Sequence, residues 1–211
     1  MRPPVPSRRR VLSFAACVMP LTGCSSLFVQ PAPRLYRLVP QTEAAAPNQR
    51  PIHQQLVIVL PISPQSLDTD RIALTRNRTT LDYFAGASWT DRTPVLLQGL
   101  LIRAFEDSGR IIGVGRDSSG LTPDYLLETD LREFEARYGE AGSELPTVTV
   151  SLVAKLVKMP DHHIIDGIHV NEQASAAHND LASIVDAFDT AVGKVLAQVV
   201  VWTLRVMMRG R

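Results

Sequence analysis

The sequence predicts an α/β fold in the form of an α+β sandwich, a mixed, largely antiparallel sheet with two long amphipathic helices packed on it. Three observations lead there. Val148, Val150, Leu152, Ala154 and Leu156 alternate with Thr147, Thr149, Ser151 and Lys155, a period of two that puts one strand face in a core. Leu181, Val185, Phe188, Val192, Val195, Val199, Trp202 and Val206 recur at steps of four and three, the stripe of a long helix. Leu97, Leu100, Leu101, Ala104 and Phe105 repeat that pattern over a shorter stretch.

The chain opens on Arg2, Arg8, Arg9 and Arg10, followed by the apolar run Val11 to Met19. A basic segment before a short apolar run is an export signal, and this run is too short to span a bilayer. Leu21-Thr22-Gly23-Cys24 then supplies an apolar residue, two small residues and a cysteine, the pattern of a bacterial lipobox. Cleavage is expected between Gly23 and Cys24, with acyl chains attached to the Cys24 thiol. Cys17 leaves with residues 1–23, so the mature chain has no second thiol for a disulfide. Ser7-Arg8-Arg9-Arg10-Val11-Leu12 approximates a twin-arginine signal, which leaves the export route open between that pathway and general secretion. Each buried methylene of an acyl chain contributes about 0.8 kcal/mol, so two or more chains hold a protein at a membrane. Serine at position 25, where aspartate favours inner-membrane retention, points to the periplasmic face of the outer membrane.

Removing residues 1–23 takes away four arginines and no acid, leaving 18 Lys+Arg against 21 Asp+Glu, a net charge of −3. No nucleic-acid partner is expected of such a chain. Residues 24–55, rich in Pro, Ala and Gln, read as a tether interrupted by a short strand at 35–39. Residues 56–211 read as one domain.

In that domain Leu56-Val57-Ile58-Val59-Leu60, closed by Pro61, is a strand buried on both faces. Residues 71–76 and 79–84 form a hairpin with a two-residue turn at Asn77-Arg78. A helix follows between Ser88 and Gly109, starting either at Ser88 with Asp91 in a capping box or at Thr93-Pro94, with Gly109 just past its end. Residues 110–114 are a strand, and 117–120 a loop. From Asp124 to Ser175 the chain is a three-strand meander. Its first strand buries Tyr125, Leu127 and Leu131 on odd positions, then Phe134 and Ala136 on even ones. That change of phase predicts a bulge near Arg132-Glu133. Pro160-Asp161 makes the second turn.

The last helix, capped by Asn179 or Asp180, would run about 28 residues, roughly 40 Å. Its stripe either packs on the sheet or is shared with a neighbouring protomer, in which case Val185, Val192, Val199 and Trp202 form a partner or homo-oligomer surface. Lys194, Gln198 and Arg205 argue against a membrane span.

No catalytic residues emerge from the sequence. There is no G-x-S-x-G, P-loop, H-E-x-x-H or G-x-G-x-x-G, and no thiol nucleophile in the mature chain. His163 and His169 share a strand face but lie about 20 Å apart along it, too far for one ion, so no metal and no cofactor beyond the acyl chains is expected. Tyr83, Phe84 and Trp89 suit a core better than a binding surface.

Taken in order, the lipobox Leu21 to Cys24, Tyr36-Arg37-Leu38, the strand Leu56 to Pro61, Leu67-Asp68-Thr69-Asp70-Arg71-Ile72, Leu81-Asp82-Tyr83-Phe84 with Trp89, and Asp124-Tyr125-Leu126-Leu127 resemble the ABC-type transport auxiliary lipoproteins, the paraquat-inducible protein C-like family. Phe84, where a second tyrosine is the rule, and the histidine-rich turn at 161–169 depart from it. The resemblance implies a small α/β domain with helices on one side of a sheet, capable of ring-like assembly. It also implies a non-enzymatic subunit of an intermembrane lipid or hydrophobic-compound transport system. The partners would be a mammalian-cell-entry (MCE) channel protein with its ABC permease and ATPase. A generic envelope-assembly lipoprotein outside transport is the alternative.

Overall fold

The computed structural model describes residues 32–41, 51–120, 122–139 and 145–209. Eight strands and two α-helices follow in the order β1 (Arg34–Tyr36), β2 (Ile52–Ile58), β3 (Arg71–Thr75), β4 (Leu81–Trp89), α1 (Thr93–Asp107), β5 (Ile111–Arg116), β6 (Tyr125–Arg137), β7 (Thr147–Lys158), β8 (His163–Ser175) and α2 (Leu181–Arg209). The expected sandwich is what forms, a mixed eight-stranded sheet with two helices.

The meander is its backbone. β7 pairs antiparallel with β6 from Tyr125↔Lys158 to Arg137↔Thr147, and with β8 from Thr147↔Ser175 to Lys158↔His163. The register of β6 shifts between Leu131 and Glu133, the bulge that the phase change requires. With β7 along one edge of β6, the other edge is shared. β2 joins it in parallel at Tyr125–Leu127, and β3 joins it in parallel at Glu135–Arg137. β5 extends β2 in parallel, while β4 pairs antiparallel with β3 and carries β1 in parallel. Parallel pairings thus outnumber antiparallel ones, four to three, but the two long ladders of the meander are antiparallel.

Several boundaries move. α1 starts at Thr93, with Pro94 in its first turn, and Ser88 instead belongs to β4. Proline fits there because its missing N–H has no helical acceptor. Gly109 takes φ +60° just after the helix and donates its N–H to Glu106 O at 3.0 Å, the left-handed exit that favours glycine. Residues 76–80 replace the two-residue turn. Asn77 Oδ1 accepts the Thr79 and Thr80 amides at 3.0 and 2.8 Å and so holds a wider loop. A tether ending at residue 55 would cut β2 in two; the compact unit begins at Ala32.

α2 begins at a cap. Asp180 Oδ1 accepts the Ser183 amide at 2.8 Å, satisfying one of the orphan donors of the first turn. The helix is long and apolar enough to cross a membrane by length and composition, but 61% of its apolar window is buried within the fold. Its Phe188 meets Trp89 of β4 and Phe134 of β6 with ring centroids 5.1 and 5.0 Å apart, and Trp89 lies edge-on to Phe134 at 6.0 Å. These three rings join helix, meander and the β3–β4 sub-sheet in one core.

Candidate interaction surfaces

Gly23 and Cys24 lie outside the described residues. The four helix positions named as a partner or oligomer surface are buried within the domain. Val192 and Val199 are 0% exposed, Val185 7% and Trp202 8%. The reason is the sheet: β7 and β8 both pack on α2, and a stripe that also buries Ile184, Leu196 and Val200 is wider than a two-helix seam. Of the four, only Trp202 reaches an edge. Its indole N–H donates to Asp166 Oδ2 on β8 at 3.3 Å, and its ring lines a groove of about 340 Å³ with Ile168, Ala197, Gln198, Val201 and Arg205. In that lining Val201 is 54% exposed, while Ile168 is partly buried against the core.

Toward the N-terminal half of α2 this groove passes into a polar hollow where the tether lies against the helix. The Val39 N–H donates to Asp189 Oδ1 at 2.7 Å. A Cβ on Gly193 would stand 3.1 Å from Gln41 O, so glycine is what permits the close approach. Burial pushes the Asp189 carboxyl up; the Val39 bond opposes this and nearby Asp186 adds to it.

The opposite face of the sheet carries a second hollow, of about 540 Å³, over the ends of β3, β6 and β7. Arg137 donates from Nε to Glu135 at 2.8 Å and from Nη2 to Glu133 at 2.7 Å. Desolvation alone would lower the Arg137 pKa; the bonds to Glu135 and Glu133 outweigh it and raise it. Thr149, 1% exposed, presents a hydroxyl without a partner. The sequence signal for this hollow was present in Glu133, Glu135 and Arg137, which share a face only after the bulge.

Among the described residues, catalytic groups do not converge at either place. Ser151 Oγ and His169 Nε2 are 3.0 Å apart, but Ser151 is buried and, among the described residues, no carboxylate orients the ring. No cluster of metal-ligating side chains occurs among the described residues, and His163 at the start of β8 is exposed. Trp89 is core, Phe84 packs against the core, and Tyr83 donates its hydroxyl to Ser66 O at 2.9 Å beneath the Arg71 guanidinium.

The family model for the ABC-type transport auxiliary lipoprotein component matches residues 36–200. The chain belongs to that family. As a member it is a lipoprotein associated with an ABC transport system, held in the envelope by a membrane anchor. The structure of protein XCC0632 from Xanthomonas campestris, of the DUF330 family, is similar with a TM-score of 0.77 at 28% identity, over 84% of this chain and 98% of that one. An uncharacterized protein shares the fold alone, with a TM-score of 0.63 at 13% identity over 80% of this chain and 97% of that one. No curated protein matches the sequence.

Proposed function

We propose that this family member is a non-enzymatic outer-membrane lipoprotein subunit of an MCE-type lipid transport system. Acyl chains on Cys24 hold it to the periplasmic face of the outer membrane. The folded domain then docks a periplasmic MCE channel, fed by an inner-membrane permease and ATPase, to that membrane, and phospholipid or another hydrophobic compound passes between the two.

The family match over residues 36–200, directly behind a lipobox, is the observation that carries this reading. The groove between α2 and β8 is the surface we assign to the channel protein, because Val201, Ile168 and the edge of Trp202 give it an apolar centre. Photo-crosslinkers at Val201 and Arg205 should capture an MCE-domain protein in cells, and a deletion strain should show altered envelope lipid traffic. Normal traffic together with no crosslink would overturn the reading. The family resemblance also supports a homo-oligomer, which light scattering should report as a multiple of the monomer mass; a monomer at high concentration would remove that element.

A further inference from the structure

A third hollow, of about 250 Å³, opens where the tether, α1 and the end of β5 meet. Arg37 enters it from the segment after β1, Arg103 from the outer side of α1, and Arg116 from the last position of β5. Among the described residues no ion pair or side-chain hydrogen bond engages these three guanidinium groups, whereas Arg92, Arg132 and Arg137 each hold a carboxylate. Asp91 is the one acid on the lining, so three cations face a single carboxylate and two positive charges stay uncompensated.

Guanidinium groups brought together from three separate segments repel one another. An anion that bridges them converts that repulsion into charge-assisted hydrogen bonds, and the planar fork of arginine matches phosphate oxygens two at a time. We infer that this hollow binds the phosphate group of an anionic phospholipid.

The tether indicates the lipid as source. Leu35 (61% exposed), Arg37 and Val39 (54%) point outward along the extended segment, while Leu38 turns into the core and Tyr36 packs against it. Two aliphatic side chains flanking a cation suit the boundary between headgroups and acyl chains. Arg37 lies thirteen residues after Cys24, at most about 45 Å of extended chain. Headgroups are therefore within reach of the hollow. The choice of lipid rests on the anchor assigned to Cys24 but not on any channel partner.

Native mass spectrometry of the mature acylated chain, released from uncharged detergent micelles containing equal amounts of phosphatidylglycerol and phosphatidylcholine, tests the inference. Retention of phosphatidylglycerol should exceed that of phosphatidylcholine by about tenfold, the size of one charge-assisted hydrogen bond. R37Q/R103Q/R116Q should abolish the preference, and R103Q alone, a benign change on an exposed helix surface, should reduce it. R78Q/K155Q/K158Q removes the same charge elsewhere and should leave the preference intact. Equal retention of both lipids, an unchanged R37Q/R103Q/R116Q protein, or loss of preference in the R78Q/K155Q/K158Q control would overturn the assignment. So would displacement of phosphatidylglycerol by millimolar inorganic phosphate, which would make the hollow a small-anion site. No channel protein enters the measurement, so it can succeed or fail independently of the transport reading.

Discussion

Asp180 and Asp189, nine residues apart around the start of α2, respond to their surroundings in opposite directions. The Ser183 amide holds the exposed Asp180 carboxyl below its ordinary range. A lowered folded-state pKa contributes stability above the unfolded value, and that contribution is lost as pH falls through the folded one. Asp180→Ala should therefore lower the melting temperature at pH 7, with the difference shrinking below pH 4 as the wild type loses the same interaction. Asp189, raised by burial, behaves the other way. Its favourable contribution is complete below the unfolded pKa and is lost as pH rises through the folded one. Asp189→Asn keeps an oxygen for the Val39 N–H and sheds the charge. Its urea midpoint at pH 7 should equal or exceed that of the wild type, with the advantage gone at pH 3.5. The Asp180 cap was legible because cap and helix are adjacent in sequence. The Asp189 contact was not, because its partner lies 150 positions away.

At the scale of elements, α1 is fixed to the sheet by more than its apolar face. Gln98, 4% exposed, donates from Nε2 to the Ile58 carbonyl at the end of β2, 2.9 Å away. Gln98→Leu keeps the volume and removes the donor, so denaturant unfolding should show a loss of about 1–3 kcal/mol. Phe188→Ala removes the ring that α2 places between Trp89 and Phe134, and should cost about 3–5 kcal/mol by the same measurement. Where periodicity is strong and continuous, as in the meander and in α2, the sequence was sufficient to place the element. It was insufficient at β4, where Ala85, Gly86 and Ala87 carry no alternation. Pairing with β1 and β3 holds that stretch as strand, and the helix starts only at Thr93. The α2 stripe identified the helix correctly and left open what it packs against, because a broad apolar face serves a sheet or a second helix equally well until the sheet is in place.

For the whole molecule, the decisive feature is that β2 and β3 share one edge of β6, an arrangement made of short parallel pairings between segments far apart in the chain. Such pairings leave no local pattern to read. The same holds for the described segment of the tether at 32–41, whose composition suggests a spacer and whose contacts make it part of the fold. Leu38 is 2% exposed within the core, β1 extends β4, and the Thr90 N–H donates to Tyr36 O at 3.0 Å. Burying one leucine contributes about 1.5–3 kcal/mol. A chain beginning at Pro51 should thus be less stable in urea than one beginning at Ser25 by at least about 2 kcal/mol, since it loses Leu38 together with the β1 ladder. Equal midpoints would mean that the tether only rests on the domain. A deficit would mean that the anchored segment and the domain unfold together, so that a pull on the anchor is transmitted through β1 and Val39 into β4 and α2, the elements that meet at the aromatic core.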